Sequence, residues 1–127
     1  MAVNGWSVDP AGVENVLTAV ATKATALTDA LGGSADGSKP GVAATVEAAA
    51  TAAQSQVIGE ALAGFFEHQQ PTLTGIQNRI QASLLGAAGA TRAIDDGDAE
   101  MAATTQANAI DAAKNGNFAA FDGAPGN

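Results

Sequence analysis

The sequence contains no cysteine and no tyrosine, and only one tryptophan and one histidine among its 127 residues. The lack of cysteine excludes disulfides, cysteine-ligated zinc and thiol catalysis. The single histidine, His68, has no second soft ligand, so we interpret it as a solvated residue near a helix end. We therefore predict that the protein is not an enzyme and has no catalytic residue, no cofactor and no metal site.

Basic residues are also scarce, with five Lys and Arg against thirteen Asp and Glu and a net charge of -8. This charge repels the phosphates of nucleic acids and anionic lipid surfaces, so nucleic acid is not expected as a partner. The sequence has no apolar run of the length of a signal peptide or a membrane span, so we expect no membrane insertion. Export of the protein would then have to proceed without a signal peptide.

About a quarter of the residues are alanine, and apolar residues recur at steps of three and four, which indicates amphipathic helices. Asp9 followed by Pro10 is typical of a helix start, and the first helix is predicted from Pro10 to Leu31. Trp6 lies just before this helix, where it can pack on the chain or contact a partner. The apolar stripe of this helix includes Val13, Val16, Leu17, Val20 and Leu27.

Residues 33–41 form a polar loop rich in Gly, Ser and Pro, which allows the chain to reverse. A second helix is predicted from Gly41, and Pro71 predicts a break or kink at residues 67–70, so one bent helix and two helices both remain open. The spacing from Gly86 to Ala90 indicates close helix packing. After Pro71 the apolar stripe includes Leu73, Ile76, Ile80 and Leu84.

An acidic stretch follows, and it predicts either a second break or the charged first turn of another helix. A calcium site is a weaker interpretation, because the closing glutamate of a twelve-residue calcium loop is missing. The stretch contains Asp95, Asp96, Asp98 and Glu100.

Beyond Lys114 the composition shifts to Asn, Gly and Pro. We predict an N-terminal segment over 1–9, a helical domain over 10–113 and a disordered tail over 114–127. The expected fold is all-α, an antiparallel helical hairpin or small helical bundle with a flexible C-terminal tail.

The opening Trp6-Ser7-Val8-Asp9-Pro10 and the segment Ala90-Thr91-Arg92-Ala93-Ile94-Asp95-Asp96-Gly97-Asp98-Ala99-Glu100-Met101-Ala102 resemble small actinobacterial proteins of unknown function. These are similar to the Trp-x-Gly (WXG-like, ESX) superfamily of type VII secretion substrates. In that superfamily a Tyr followed four residues later by an acidic residue is an export signal read by the secretion ATPase. Ile94 and Asp98 stand at the matching positions, so the acidic half is present and the aromatic half is not. The loop between the helices also lacks the Trp-x-Gly motif.

The resemblance implies a secreted or secretion-associated helical interaction protein that pairs with itself or with a related helical hairpin protein, and that a type VII secretion ATPase recognises. On one helix, Ile94 and Asp98 would lie on a single face as a two-point recognition element. The alternative is a cytoplasmic binding or assembly module that is not exported. In either case the predicted packing or partner anchors are Trp6, Val13, Val16, Leu17, Val20, Leu27, Leu73, Ile76, Ile80 and Leu84.

Overall fold

The computed structural model describes residues 2–3 and 6–122, with side chains from Ser7 onward. In chain order these residues form β1 (Ala2–Val3), β2 (Trp6–Ser7), α1 (Pro10–Gly32), α2 (Val42–Ala52), α3 (Gln56–Asp95), α4 (Ala99–Asn115) and a 3-10 helix (Ala119–Phe121). The two short strands pair antiparallel, with Ala2 opposite Ser7 and Val3 opposite Trp6. Apart from this pair, the regular structure in the described residues is helical, and the predicted all-α fold is confirmed.

The first helix begins and ends where the sequence predicts. Pro10 is the first residue of α1. The Asp9 carboxylate lies over the first turn of α1. Its Oδ2 is only 2.7 Å from the position that a Cβ on Gly12 would occupy. At the other end Gly33 has a φ of 89°, and its N–H donates to the Asp29 carbonyl at 2.8 Å. This left-handed cap is a conformation that glycine adopts without steric strain.

The predicted second helix is interrupted at residues 53–55, between α2 and α3, where the sequence analysis expected it to continue. Gln54 has a φ of 49°, and its N–H donates to the Thr51 carbonyl at 3.2 Å. The left-handed conformation costs a residue with a side chain about 1–2 kcal/mol, so a glycine is the usual signal for such an end. No glycine marks this one, and the apolar period runs through it unchanged, which is why the sequence pattern missed it.

Pro71 lies inside α3, and the helix passes through it as one element of 40 residues. Of the two alternatives that the sequence left open at residues 67–70, the chain forms one helix and not two. Proline removes the hydrogen bond to the carbonyl four residues earlier, Glu67, and an interior proline costs about 3 kcal/mol. Apolar positions continue on both sides of Pro71, and their packing offsets that local cost.

A tight two-part cap joins α3 to α4. Gly97 has a φ of 80°, its N–H donates to the Ile94 carbonyl at 3.0 Å, and the Asp98 N–H donates to the Ala93 carbonyl at 2.8 Å. These two bonds form a Schellman motif, which ends α3. Asp98 then begins α4, because its Oδ1 accepts from the Met101 N–H at 2.8 Å. The acidic stretch is thus both a break and the start of a new helix.

Regular secondary structure continues beyond residue 113, the predicted end of the helical domain. Helix α4 passes the boundary predicted at 113 and ends at Asn115, where Gly116 has a φ of 71° and donates to the Ala112 carbonyl at 2.8 Å. Residues 114–122, which the sequence analysis assigned to the tail, include the end of α4 and the 3-10 helix Ala119–Phe121. Local hydrogen bonds, such as Asn117 Oδ1 accepting from the Ala119 N–H at 3.0 Å, hold this segment. Residues 123–127 of the predicted tail lie outside the described part.

The contacts divide the chain into two compact units, residues 1–22 with 75–127, and residues 23–74. In the first unit, α3 and α4 meet along small residues. A Cβ added to Gly86 would lie 2.5 Å from Ala109 Cβ, and one added to Gly89 would lie 2.6 Å from Thr105 Cγ2. The pairing order shows that the two helices run antiparallel, and the predicted close packing at Gly86 is confirmed. The buried residues of this contact are Ala82, Gly86, Ala90, Ala93, Ala102 and Ala112.

Another side of α3 in the first unit faces α1. Val13 and Leu17 of α1 line one groove with Thr91 of α3 and a second groove with Ala87. These residues belong to the two apolar stripes read from the sequence. Val13 and Leu17 of the α1 stripe therefore face the C-terminal part of α3 in this unit.

In the second unit, α2 packs beside the N-terminal half of α3. Ala50 Cβ lies 3.8 Å from the position of a Cβ added to Gly59. The two helices border a mostly apolar groove lined by Ala43, Val46, Glu47, Ala50, Gly59, Ala63 and Phe66. Gly41, before α2, is buried against the backbone of Gly32 and Gly33, which leaves no room for a side chain.

Candidate interaction surface

The predicted anchor residues divide into two groups. Val16, Val20 and Ile76 are exposed, at 61%, 41% and 42%. The Trp6 side chain lies outside the described residues, so its predicted role stays a prediction. The remaining anchors are half-buried, and they are Val13, Leu17, Leu27, Leu73, Ile80 and Leu84.

The large apolar side chains and the core of this chain are separate. Every residue that the structure describes as buried is Ala or Gly. Single exposed apolar residues are normal on a protein surface, whereas a core without any large side chain is unusual. The exposed large apolar residues on α3 are Val57 (77%), Ile58 (48%), Phe65 (59%) and Ile76 (42%), and those on α4 are Met101 (56%) and Ile110 (57%).

In the second unit, apolar residues of α3 recur at steps of three and four along one face, which we name the α3 outer face. Its exposed members are Ile58 and Phe65, while its other members are half-buried. Of this face, the sequence analysis chose Leu73 as an anchor and did not choose Ile58 and Phe65, although the same three- and four-residue steps run through them. The α3 outer face consists of Ile58, Leu62, Phe65, Gln69 and Leu73, all in the second unit.

Charge and ring geometry distinguish this face from the rest of α3. Glu60 and Glu67 each follow a face residue by two positions, which turns them about 200° around the helix and away from the face. The rings of Phe65 and Phe66 meet edge to face, with centroids 6.3 Å apart and planes at 76°. This arrangement is favourable for aromatic pairs, so the exposed Phe65 ring is held by a neighbour on its own helix.

Ile94 and Asp98, the predicted recognition element, lie on two different helices. Ile94 is in the last turn of α3, half-buried beside the cluster of Ala90, Ala93 and Ala102. Asp98 is the N-cap of α4, and its carboxylate accepts from the Met101 N–H. The expectation that both residues share one helix face is therefore wrong, because the chain turns at Gly97 between them.

The other candidate ligands stay apart. His68 is exposed within α3 rather than near a helix end, and Glu100 lies in the first turn of α4, where a carboxylate complements the helix dipole. Among the described residues, no three His, Asp or Glu side chains come together in a way that could hold a metal ion. Across residues 6–122, no helix combines the length and apolar character that crossing a bilayer requires.

The loop of residues 33–41 contains a carboxyl group with a lowered pKa, that of Asp36. Hydrogen bonds from Ser34 and then Ser38 lower the pKa of Asp36 from 3.8 to about 2. The Ser38 N–H and hydroxyl both donate to Asp36 Oδ1, at 3.0 and 2.7 Å, and the Lys39 N–H donates to Ser34 Oγ at 2.9 Å. These bonds are made within the loop, so they shape the turn between α1 and α2.

No curated protein and no solved structure matches the chain. One family model, described as a family of unknown function (DUF6507), matches residues 3–120. The match spans α1 to α4, including the α3–α4 contact and the α3 outer face. The chain therefore belongs to the family of unknown function DUF6507.

Proposed function

We propose that this chain is a non-enzymatic helical interaction protein that acts as a homo- or heterodimer. The observation that carries the proposal is the separation of core and large side chains: Ala and Gly are buried, while Ile58 and Phe65 are exposed on one face of α3. Fully burying an Ile or Phe side chain contributes about 1.5–3 kcal/mol. A partner that covers this face would supply the apolar burial that the chain lacks by itself.

The chemistry of the face favours a helical partner. Its members recur at steps of three and four residues along one helix, which fits the apolar stripe of another helix. Acidic side chains point away from it, and the net charge of -8 disfavours nucleic acid as the partner. The proposed partner is therefore the chain itself or a related helical hairpin protein, without membrane insertion.

The proposed setting is a type VII-like secretion system, in which the protein is exported without a signal peptide and a secretion ATPase is a further partner. This part of the proposal rests on the resemblance of the Trp6–Pro10 opening and of the segment around Ile94 and Asp98. The alternative is a cytoplasmic binding or assembly module with the same contact surface. The separation of core and exposed face supports both settings equally.

Light scattering of the purified full chain tests the dimer. We expect a mass of twice 12.4 kDa for the chain alone, or the sum of the two chain masses after mixing with a related helical hairpin protein. The physical reason is the gain from covering exposed Ile and Phe side chains. A mass of 12.4 kDa at all concentrations, alone and in the mixture, would contradict the proposed function.

Fractionation of cells into medium and lysate tests export. Because Asp98 also caps α4, the informative variant removes its charge and keeps the cap. Asp98→Ala removes both the charge and the cap, which costs about 1 kcal/mol, whereas Asp98→Asn removes the charge and keeps a capping oxygen. If the carboxylate is part of the export signal, Asp98→Asn is absent from the medium at unchanged melting temperature, and Ile94→Tyr is exported at least as well as the parent.

The two settings give different results in this experiment. Equal amounts of the parent and Asp98→Asn in the medium would show that the Asp98 carboxylate caps α4 but is not part of an export signal. Retention of the parent, Asp98→Asn and Ile94→Tyr in the lysate would favour the cytoplasmic alternative. Asp98→Ala serves as the stability control, because it alone is expected to melt at a lower temperature.

A further inference from the structure

Helix α2 has few of the features that hold a helix in place. It has 11 residues, none of them buried, and its N-cap residue, Gly41, makes no side-chain hydrogen bond. Its first turn contains no acidic residue and its last turn no basic residue, so no charge complements its dipole. An isolated helix shorter than about 12–15 residues is marginal in water, so α2 depends on its contact with α3.

The turn after α2 works against that contact. Gln54 has a φ of 49°, the left-handed conformation that disfavours a residue with a Cβ. This strain lasts only while α2 is folded back on α3, because the turn at residues 53–55 relaxes when α2 leaves. The contact offsets the strain weakly, since α2 and α3 leave an open groove of 230 Å³ between them.

Helix α2 covers a side of α3 that adjoins the α3 outer face. The α3 residues that line the groove are Gly59, Ala63 and Phe66, and each directly follows a member of the α3 outer face. Successive residues lie about 100° apart around a helix, so the two sides are adjacent. The rings of Phe65 and Phe66, which meet edge to face, connect them. Without α2, the single apolar row of the α3 outer face becomes a band as wide as the apolar stripe of an amphipathic helix.

We infer that α2 is a lid on α3, which opens locally and thereby widens the apolar surface that the helical partner contacts. The inference rests on the proposed function and adds its regulation. When α2 is closed, it occupies the side of Gly59, Ala63 and Phe66; when it is open, that side joins the α3 outer face. The apparent affinity for the partner then scales with the open population, so any change that stabilises the closed lid weakens the dimer.

A reversible disulfide between α2 and α3 tests the lid, because the natural chain has no cysteine. Ala50 Cβ lies 3.8 Å from the position of a Cβ on Gly59, a separation typical of the two Cβ atoms of a disulfide. The double variant Ala50→Cys with Gly59→Cys is therefore expected to form an intramolecular bond on mild oxidation. In light scattering, alone and mixed with a related helical hairpin protein, the oxidised form is expected to stay monomeric. The same sample in reductant is the matched control, and it is expected to dimerise like the parent.

Hydrogen exchange of the full chain gives a second readout that needs no partner. The amides of α2 are expected to exchange by local opening, well before those of α4, in which Ala102 and Ala112 are buried. Gln54→Gly removes the left-handed strain and is expected to slow exchange in α2 about threefold or more. Gln54→Ala keeps the Cβ and with it the strain, and the replaced side chain is exposed, so this control is expected to leave the rate unchanged.

Three results would each overturn the inference and leave the proposed function standing. They are an oxidised double variant that dimerises as well as its reduced form, α2 amides as protected as those of α4, and equal exchange rates in Gln54→Gly and Gln54→Ala. A parent and a reduced variant that both stay monomeric, alone and in the mixture, would instead contradict the proposed function. The exchange rates would then still decide whether α2 opens.

Discussion

Replacing Ala102 by Asp is expected to separate α4 from α3 and to lower helicity and thermal stability sharply. Ala102 is 6% exposed and lies in the cluster with Ala90 and Ala93. An Asp there must bury a carboxylate without a partner or take up a proton, and an uncompensated buried charge costs about 3–5 kcal/mol. That is a large share of the 5–15 kcal/mol by which a domain is typically stable.

The neighbouring residue provides the matched control. Ala103 is exposed on the same turn of α4, so Ala103→Asp has nearly the same helix propensity and the same position relative to the helix dipole. We expect it to change the free energy of unfolding by less than about 0.5 kcal/mol. Circular dichroism melts of the two variants give the comparison. Equal melting temperatures would show that the contact at Ala102 does not hold α4.

Adding one methyl group at Gly86 is expected to destabilise the chain, although alanine is the better helix former. The new Cβ would lie 2.5 Å from Ala109 Cβ, closer than two carbon atoms can approach, so α3 and α4 must move apart. Such overpacking costs about 1–3 kcal/mol, which exceeds the helix propensity gain of about 1 kcal/mol.

Gly64→Ala separates the two effects. Gly64 also lies within α3, and a Cβ added there has no heavy atom within 4 Å. Only the helix propensity changes, so this variant is expected to stabilise the chain by about 0.5–1 kcal/mol. Urea unfolding of the parent and both variants should therefore give shifts of opposite sign. A stabilising Gly86→Ala would mean that α4 does not approach α3 as closely as the structure has it.

Prediction from the sequence succeeded where a single local signal was strong. Pro10 after Asp9 and the glycines at 32–33 bound α1 as predicted, because cap geometry depends on residues within one turn. It failed at Gln54, where the helix ends without a glycine, and at Pro71 it left open whether the chain forms one helix or two. In both cases packing along α2 and α3 outweighed the local preference of one residue.

For the interaction surface, the sequence indicated which residues are apolar and left their partners open. The stripes of α1 and α3 were predicted as pairing surfaces, and in the first unit Val13 and Leu17 are used within the chain itself. The exposed Ile58 and Phe65 obey the same periodicity but were not chosen as anchors. Periodicity shows that a helix has an apolar side, but not whether that side meets its own chain or solvent.

Taken alone, the sequence determined that this protein is helical, acidic and free of cysteine chemistry, because these properties follow from composition and short-range spacing. The tertiary structure decided that alanine and glycine make the close contact, since Gly86 and Gly89 reveal their role only when Ala109 and Thr105 lie opposite. It also placed Ile94 and Asp98 on separate helices. Which side of a helix is covered depends on residues far away in the sequence, and the local sequence does not show which residues those are.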